Sequence, residues 1–94
     1  MRLSQAQQEV IRATCMATFN YDTNIWIFGS RLNDAQRGGD IDLYVETGPH
    51  RLMDELRCKI RLEDELQIPV DLIVRKPDDT SPIATIAKQK GHRL

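Results

Sequence analysis

Two hydrophobic rhythms run along this chain, one helical and one extended. Val10, Ile11, Thr14, Ala17 and Thr18 recur at helical spacing, and Ser4 followed by Gln7 matches the S-x-x-Q capping box. They predict a first helix over about residues 4–19. Asn20 to Asn24 is a polar break. Ile25-Trp26-Ile27-Phe28 is a continuous apolar run, rich in β-branched and aromatic residues, and reads as a strand buried on both faces. Residues 29–39 form a polar, glycine-bearing connection with room for a short helix. Asp40 to Glu46 reads as the second strand. After the turn Thr47-Gly48-Pro49, with Pro49 suited to the first helical position, a second helix is expected over about 49–66. Leu52, Met53, Leu56, Ile60 and Glu63 recur in it at spacings of three and four, and Asp54, Glu55, Arg57, Lys59 and Arg61 mark a solvated outer face.

Ile68-Pro69 ends that helix, because the residue before proline leaves helical space. Val70 to Arg75 reads as the third strand. Ser81-Pro82 opens a last helix through Ile83, Ile86, Ala87 and Lys90, closed by Gly91. No repeat, low-complexity segment or internal linker interrupts this order.

Composition narrows the class. The 94 residues suit one domain, read as residues 1–94, with a small core. A formal net charge of −1 gives no basic field to attract nucleic acid, so direct nucleic-acid binding is not expected. Cys15 and Cys58 form no CxxC pair and read as reduced, partly buried thiols of a cytosolic protein. No apolar run approaches the roughly 18 residues needed to span a membrane, and the N-terminus has no apolar signal core. The expected location is the cytoplasm.

The candidate chemistry lies where strands end and begin. Gly29-Ser30 closes the first strand, nine residues intervene, and Asp40-Ile41-Asp42 opens the second. Two acids at spacing two in a strand share a face. A third, Asp71, sits at the start of Val70-Asp71-Leu72-Ile73-Val74. Such carboxylates repel one another unless a cation lies among them, and oxygen-only ligands suit magnesium with substrate phosphates. A glycine lets backbone N–H groups approach an anion closely, and a serine adds a hydroxyl donor. The layout is one for phosphoryl or nucleotidyl transfer.

These residues resemble a minimal nucleotidyltransferase of the DNA polymerase beta superfamily. Its motif is Gly-Ser, a spacer, Asp-x-Asp and a later strand-borne Asp, here Gly29, Ser30, Asp40, Asp42 and Asp71. The resemblance covers nearly the whole chain. It implies an α+β fold, with a small mixed three- to four-stranded sheet flanked by helices as in the polymerase beta palm. It implies MgATP (or manganese, or another nucleoside triphosphate) and transfer of a nucleoside monophosphate to a hydroxyl with release of pyrophosphate. Carried over residue by residue, Ser30 and the Gly29 backbone would hold the terminal phosphates, with Arg31 as a further phosphate contact. Asp40 and Asp42 would bind the metal, and Asp71 would be the base or a third metal ligand. Small members of this kind are often antitoxin partners of HEPN-domain toxins and adenylylate a tyrosine of the toxin. The Arg37-Gly38-Gly39 spacer departs from the common pattern, which bears on nucleotide placement and removes no ligand.

Two further readings stay open at this level. One is a non-catalytic antitoxin or binding module that works by occlusion. The other is a nucleotide sensor that binds ATP without transfer. Trp26 and Phe28 read as packing, His50 and His92 as surface residues, and Tyr44 as structural.

Overall fold

The computed structural model describes residues 3–20, 22–29 and 39–94. Its elements run α1 (Gln5–Thr18), β1 (Asn24–Phe28), β2 (Ile41–Glu46), α2 (Leu52–Leu66), β3 (Val70–Arg75), α3 (Pro82–Lys90) and β4 (His92–Arg93). The strands form one mixed sheet in the order β3-β2-β1-β4. β1 is antiparallel to β2 and to β4, and β2 is parallel to β3 through the α2 crossover. Among the described residues this is an α+β fold of three helices on a four-stranded mixed sheet.

Alternation along the strands makes two different faces. Ile25, Ile27, Ile41, Leu43, Val45, Val70 and Val74 point to one side and pack with Ile11 and Cys15 of α1 and Cys58 and Leu62 of α2. Tyr44, Trp26, Phe28 and Ile73 point to the other and pack with Ala84, Ala87 and Ile83 of α3. Because β2 is central and covered on both sides, only Asp42 along it is not fully buried. α3 is short and leaves that end of the second face open.

The capping box at Ser4 forms: Gln7 N–H donates to Ser4 Oγ at 3.1 Å and Ser4 N–H to Gln7 Oε1 at 2.9 Å. β1 is half-buried on alternate residues, not buried on both faces, because α3 covers Trp26 and Phe28 only in part. α2 begins at Leu52 instead of Pro49. His50 holds the intervening turn, its Nδ1–H donating to Gly48 O at 2.9 Å and its Nε2–H to Glu55 Oε2 at 2.7 Å. The carbonyl and the carboxylate both favour the protonated ring. The Gly48 carbonyl first, and then Glu55, raise its pKa against the opposing effect of burial. His50 also meets the Phe19 ring edge-on at 5.4 Å, so it is a half-buried structural residue and not a free surface one.

The largest correction concerns the phase of α2. The residues it buries are Cys58 and Leu62, with Leu66 partly covered. Leu52, Met53, Leu56 and Ile60 are 45–70 % exposed and form an apolar stripe on the outer side. α2 is therefore apolar on two sides. Leu62→Ala is expected to destabilise the fold by about 3 kcal/mol, as a cavity in the core. Leu56→Ala should stay within about 0.5 kcal/mol. Urea unfolding of the two variants checks this, and equal losses would place the core on the wrong side of α2.

β4 was not anticipated from the sequence. Its approach to β1 depends on Gly91, where a Cβ would stand 2.2 Å from Ala87 O and 2.8 Å from Ile27 O. Gly91 has φ −82°, so space and not a left-handed turn demands glycine here. At the opposite edge, Glu63 Oε2 accepts from Val70 N–H at 2.8 Å and Lys59 Nζ donates to Val70 O at 2.7 Å. The pair closes the exposed start of β3 against foreign strands.

Candidate active site

The strand register gathers the acids. Asp42 lies opposite Phe28 in the β1–β2 ladder and beside Asp71 in the β2–β3 ladder. All three side chains belong to the face that α3 leaves partly open. Asp42 and Asp71 are register neighbours on that face, close enough to act on each other electrostatically. Burial first, then the neighbouring Asp71 carboxyl and the charge of Asp40, push Asp42 up to about 6. Asp40 stands just before β2, exposed, and acts on Asp42 through its charge. Among the described residues no three His, Cys, Asp or Glu side chains gather closely enough to enclose a metal ion by themselves.

The donor set fits a hard divalent cation all the same. Magnesium keeps much of its shell for water and substrate phosphate and takes only one or two carboxylates from the protein. Asp42 and Asp71 are two oxygen donors held side by side against their own repulsion, which a cation between them would relieve.

Gly29 completes this corner. It follows β1 with φ +78°, and a Cβ on it would meet Asp42 Oδ2 at 2.2 Å. Both the backbone conformation and the space require glycine. The backbone at the end of β1 thus passes directly over the Asp42 carboxyl. Ser30 and Arg31 lie outside the described residues, as do Arg37 and Gly38.

A cleft of about 450 Å³ opens beside the pair, lined among others by Phe28, Asp42, Lys59, Asp71, Ile73 and Ile83. It offers apolar walls at one end and acids at the other. Lys59 was read from the sequence as part of a solvated face. Its place at this cleft follows from the packing of α2 against β3, and no local sequence signal marks it. Tyr44, two residues after Asp42 on the same face, is buried under α3 and meets Trp26 edge-on at 6.1 Å. It belongs to the wall behind the acids. Glu46, further along, forms an ion pair with Lys88 of α3. No described helix is long and apolar enough to cross a membrane.

Asp42 and Asp71 thus stand side by side on one sheet face, with Gly29 packed against Asp42. A family model for the nucleotidyltransferase domain matches residues 11–91, from the middle of α1 to the end of α3, and the chain belongs to that family. Transfer of nucleotidyl groups is the chemistry of this family, which in general uses a nucleoside triphosphate and a divalent metal. A search of the curated proteins matches none of them to this chain.

Proposed function

We propose that this chain is a minimal nucleotidyltransferase that moves AMP from MgATP to a hydroxyl, most often a tyrosine, on a HEPN-type helical partner whose toxicity it thereby suppresses. The observation that carries the reading is the side-by-side placing of Asp42 and Asp71 on β2 and β3, with Gly29 packed against the Asp42 carboxyl. In this reading Asp40 and Asp42 hold magnesium or manganese. Gly29 backbone and Ser30 hold the terminal phosphates, and Arg31 adds a phosphate contact. Asp71 takes the proton of the attacking hydroxyl or serves as a third ligand. The attacking oxygen bonds to the α-phosphorus, and the bond from that phosphorus to the bridging oxygen breaks to release pyrophosphate. The metal supplies charge neutralisation on the phosphates. The same reading places the protein in the cytoplasm with its nucleotide.

The partner finds support in α2. A contiguous apolar stripe on a small domain is a protein-binding feature more often than a chance of composition. Leu52, Met53, Leu56 and Ile60 are that stripe, and they are not needed for the core. An amphipathic helix of the partner would cover it with its apolar face. The occlusion antitoxin draws on the same stripe and needs no transfer, so the experiment must separate the two.

The test is co-expression with the HEPN-type protein and intact-mass measurement after incubation with MgATP. An AMP-sized increase on the partner is expected, lost in Asp71→Asn while ATP binding persists, because Asp71 acts on the acceptor oxygen. A complex that gains no mass, and still inhibits with Asp71→Asn, would replace transfer by occlusion. Leu56→Glu with Ile60→Glu should abolish the complex without loss of stability.

A further inference from the structure

Cys15 in the last turns of α1 and Cys58 in the middle of α2 stand 43 positions apart in sequence, yet their sulfurs are 3.8 Å apart. Both side chains are fully buried and both thiols are free. Neither takes any part in the chemistry above. We propose that Cys15 and Cys58 are a modification site, a dithiol that hydrogen peroxide closes to a disulfide between α1 and α2. A disulfide bond is about 2.05 Å long, so the sulfurs must approach by roughly 1.8 Å, within the reach of side-chain rotation.

The two thiols are not equivalent. The two sulfurs are hydrogen-bonded to each other. That bond first, with Thr18 and the Arg61 charge, lowers the Cys58 pKa against burial, and with burial it raises that of Cys15. In this proposal Cys58, which feels the Arg61 charge, is the attacking thiol and Cys15 the resolving one. A crevice of about 310 Å³ lies between the end of α1 and α2, and its walls include Thr18 and Arg61, the residues that act on Cys58.

The steps balance. Cys58 sulfur attacks one peroxide oxygen, the O–O bond breaks, and the leaving hydroxide takes a proton to become water. The resulting sulfenic acid is attacked by Cys15 sulfur, the S–O bond breaks, and the departing hydroxyl leaves as water with the Cys15 proton. Two thiols are oxidised by two electrons and one peroxide becomes two waters. The new bond closes a loop containing β1 and β2, which restricts the unfolded chain. It also pins α2, whose Lys59 and Glu63 hold the start of β3 next to Asp71.

The experiment treats the native wild-type chain with a small excess of hydrogen peroxide, quenches with alkylating agent under denaturing conditions and measures intact mass. A monomer about 2 Da lighter, with both thiols protected and full recovery on reduction by dithiothreitol, is expected. Its melting temperature should rise on the order of 10 °C. Cys15→Ser should leave a Cys58 sulfenic acid that dimedone captures. Two alkylated thiols after peroxide, or oxidation only to intermolecular dimers or sulfinic acid, would overturn the proposal, and the wild-type measurement decides this even if either variant fails to fold.

Discussion

Asp42→Asn is expected to cut nucleotidyl transfer on the order of 10³-fold or more, the scale of losing a central electrostatic contact to the transition state. The same variant should melt higher than wild type near neutral pH in the absence of metal. The sign follows from the raised pKa. Folding lifts Asp42 from 3.8 to about 6, so between these values the folded chain holds a proton that the unfolded chain has released. Stability therefore falls as pH rises through that window, and the full cost of ionising Asp42 beside Asp71 is present above it. Asn does not ionise. The gain of Asp42→Asn over wild type should be largest above pH 6 and vanish as pH falls below 3.8. Magnesium should stabilise wild type at neutral pH and leave the variant unmoved. Thermal melts across pH, with and without magnesium, check both statements. An Asp42→Asn protein that transfers at the wild-type rate, or that melts lower than wild type at every pH, would remove Asp42 from the site.

Gly29→Ala should be strongly damaging for a single added methyl. The left-handed backbone alone costs a non-glycine residue about 1–2 kcal/mol. The added Cβ would collide with Asp42 Oδ2 at 2.2 Å and drive that carboxyl off its position. The sum is expected near 2–4 kcal/mol, a fall in melting temperature on the order of 10–20 °C. Transfer should be lost as well, even under conditions where the variant stays folded. The collision is separable from the backbone strain. In an Asp42→Ala background the Cβ meets only the Asp42 Cβ position at 3.4 Å, an ordinary contact. The double variant should thus recover about 1 kcal/mol or more of stability relative to additivity. Strict additivity of the two substitutions would mean that Gly29 and Asp42 do not touch.

Much of this geometry is legible in the chain alone. Strands β2 and β3 follow from their β-branched runs, and α1 follows from the Ser4–Gln7 box. Period-two alternation puts Asp40, Asp42 and Asp71 on one side of whatever sheet those strands join. The proline after Ser81 and the glycine at 91 bracket α3 to the residue. These signals are local, because each rests on a backbone preference or a repeat within one element.

What the sequence by itself determined was therefore the kind and order of the elements from α1 to α3. The tertiary structure decided which of two apolar sides of α2 faces the core. Periodicity reports that a stripe exists, and Leu52, Met53, Leu56 and Ile60 make a stronger stripe than Cys58, Leu62 and Leu66. Only the fit of small Cys58 against Cys15 on α1 selects the weaker one for burial. The pairing of β4 with β1 was likewise hidden, since two exposed residues carry no pattern and the contact depends on room above Gly91. The same holds for the close approach of Asp42 and Asp71. Strand alternation puts two acids on a face, but the distance between them is set by the parallel register of β2 and β3, which couples residues that the α2 crossover keeps far apart in the chain.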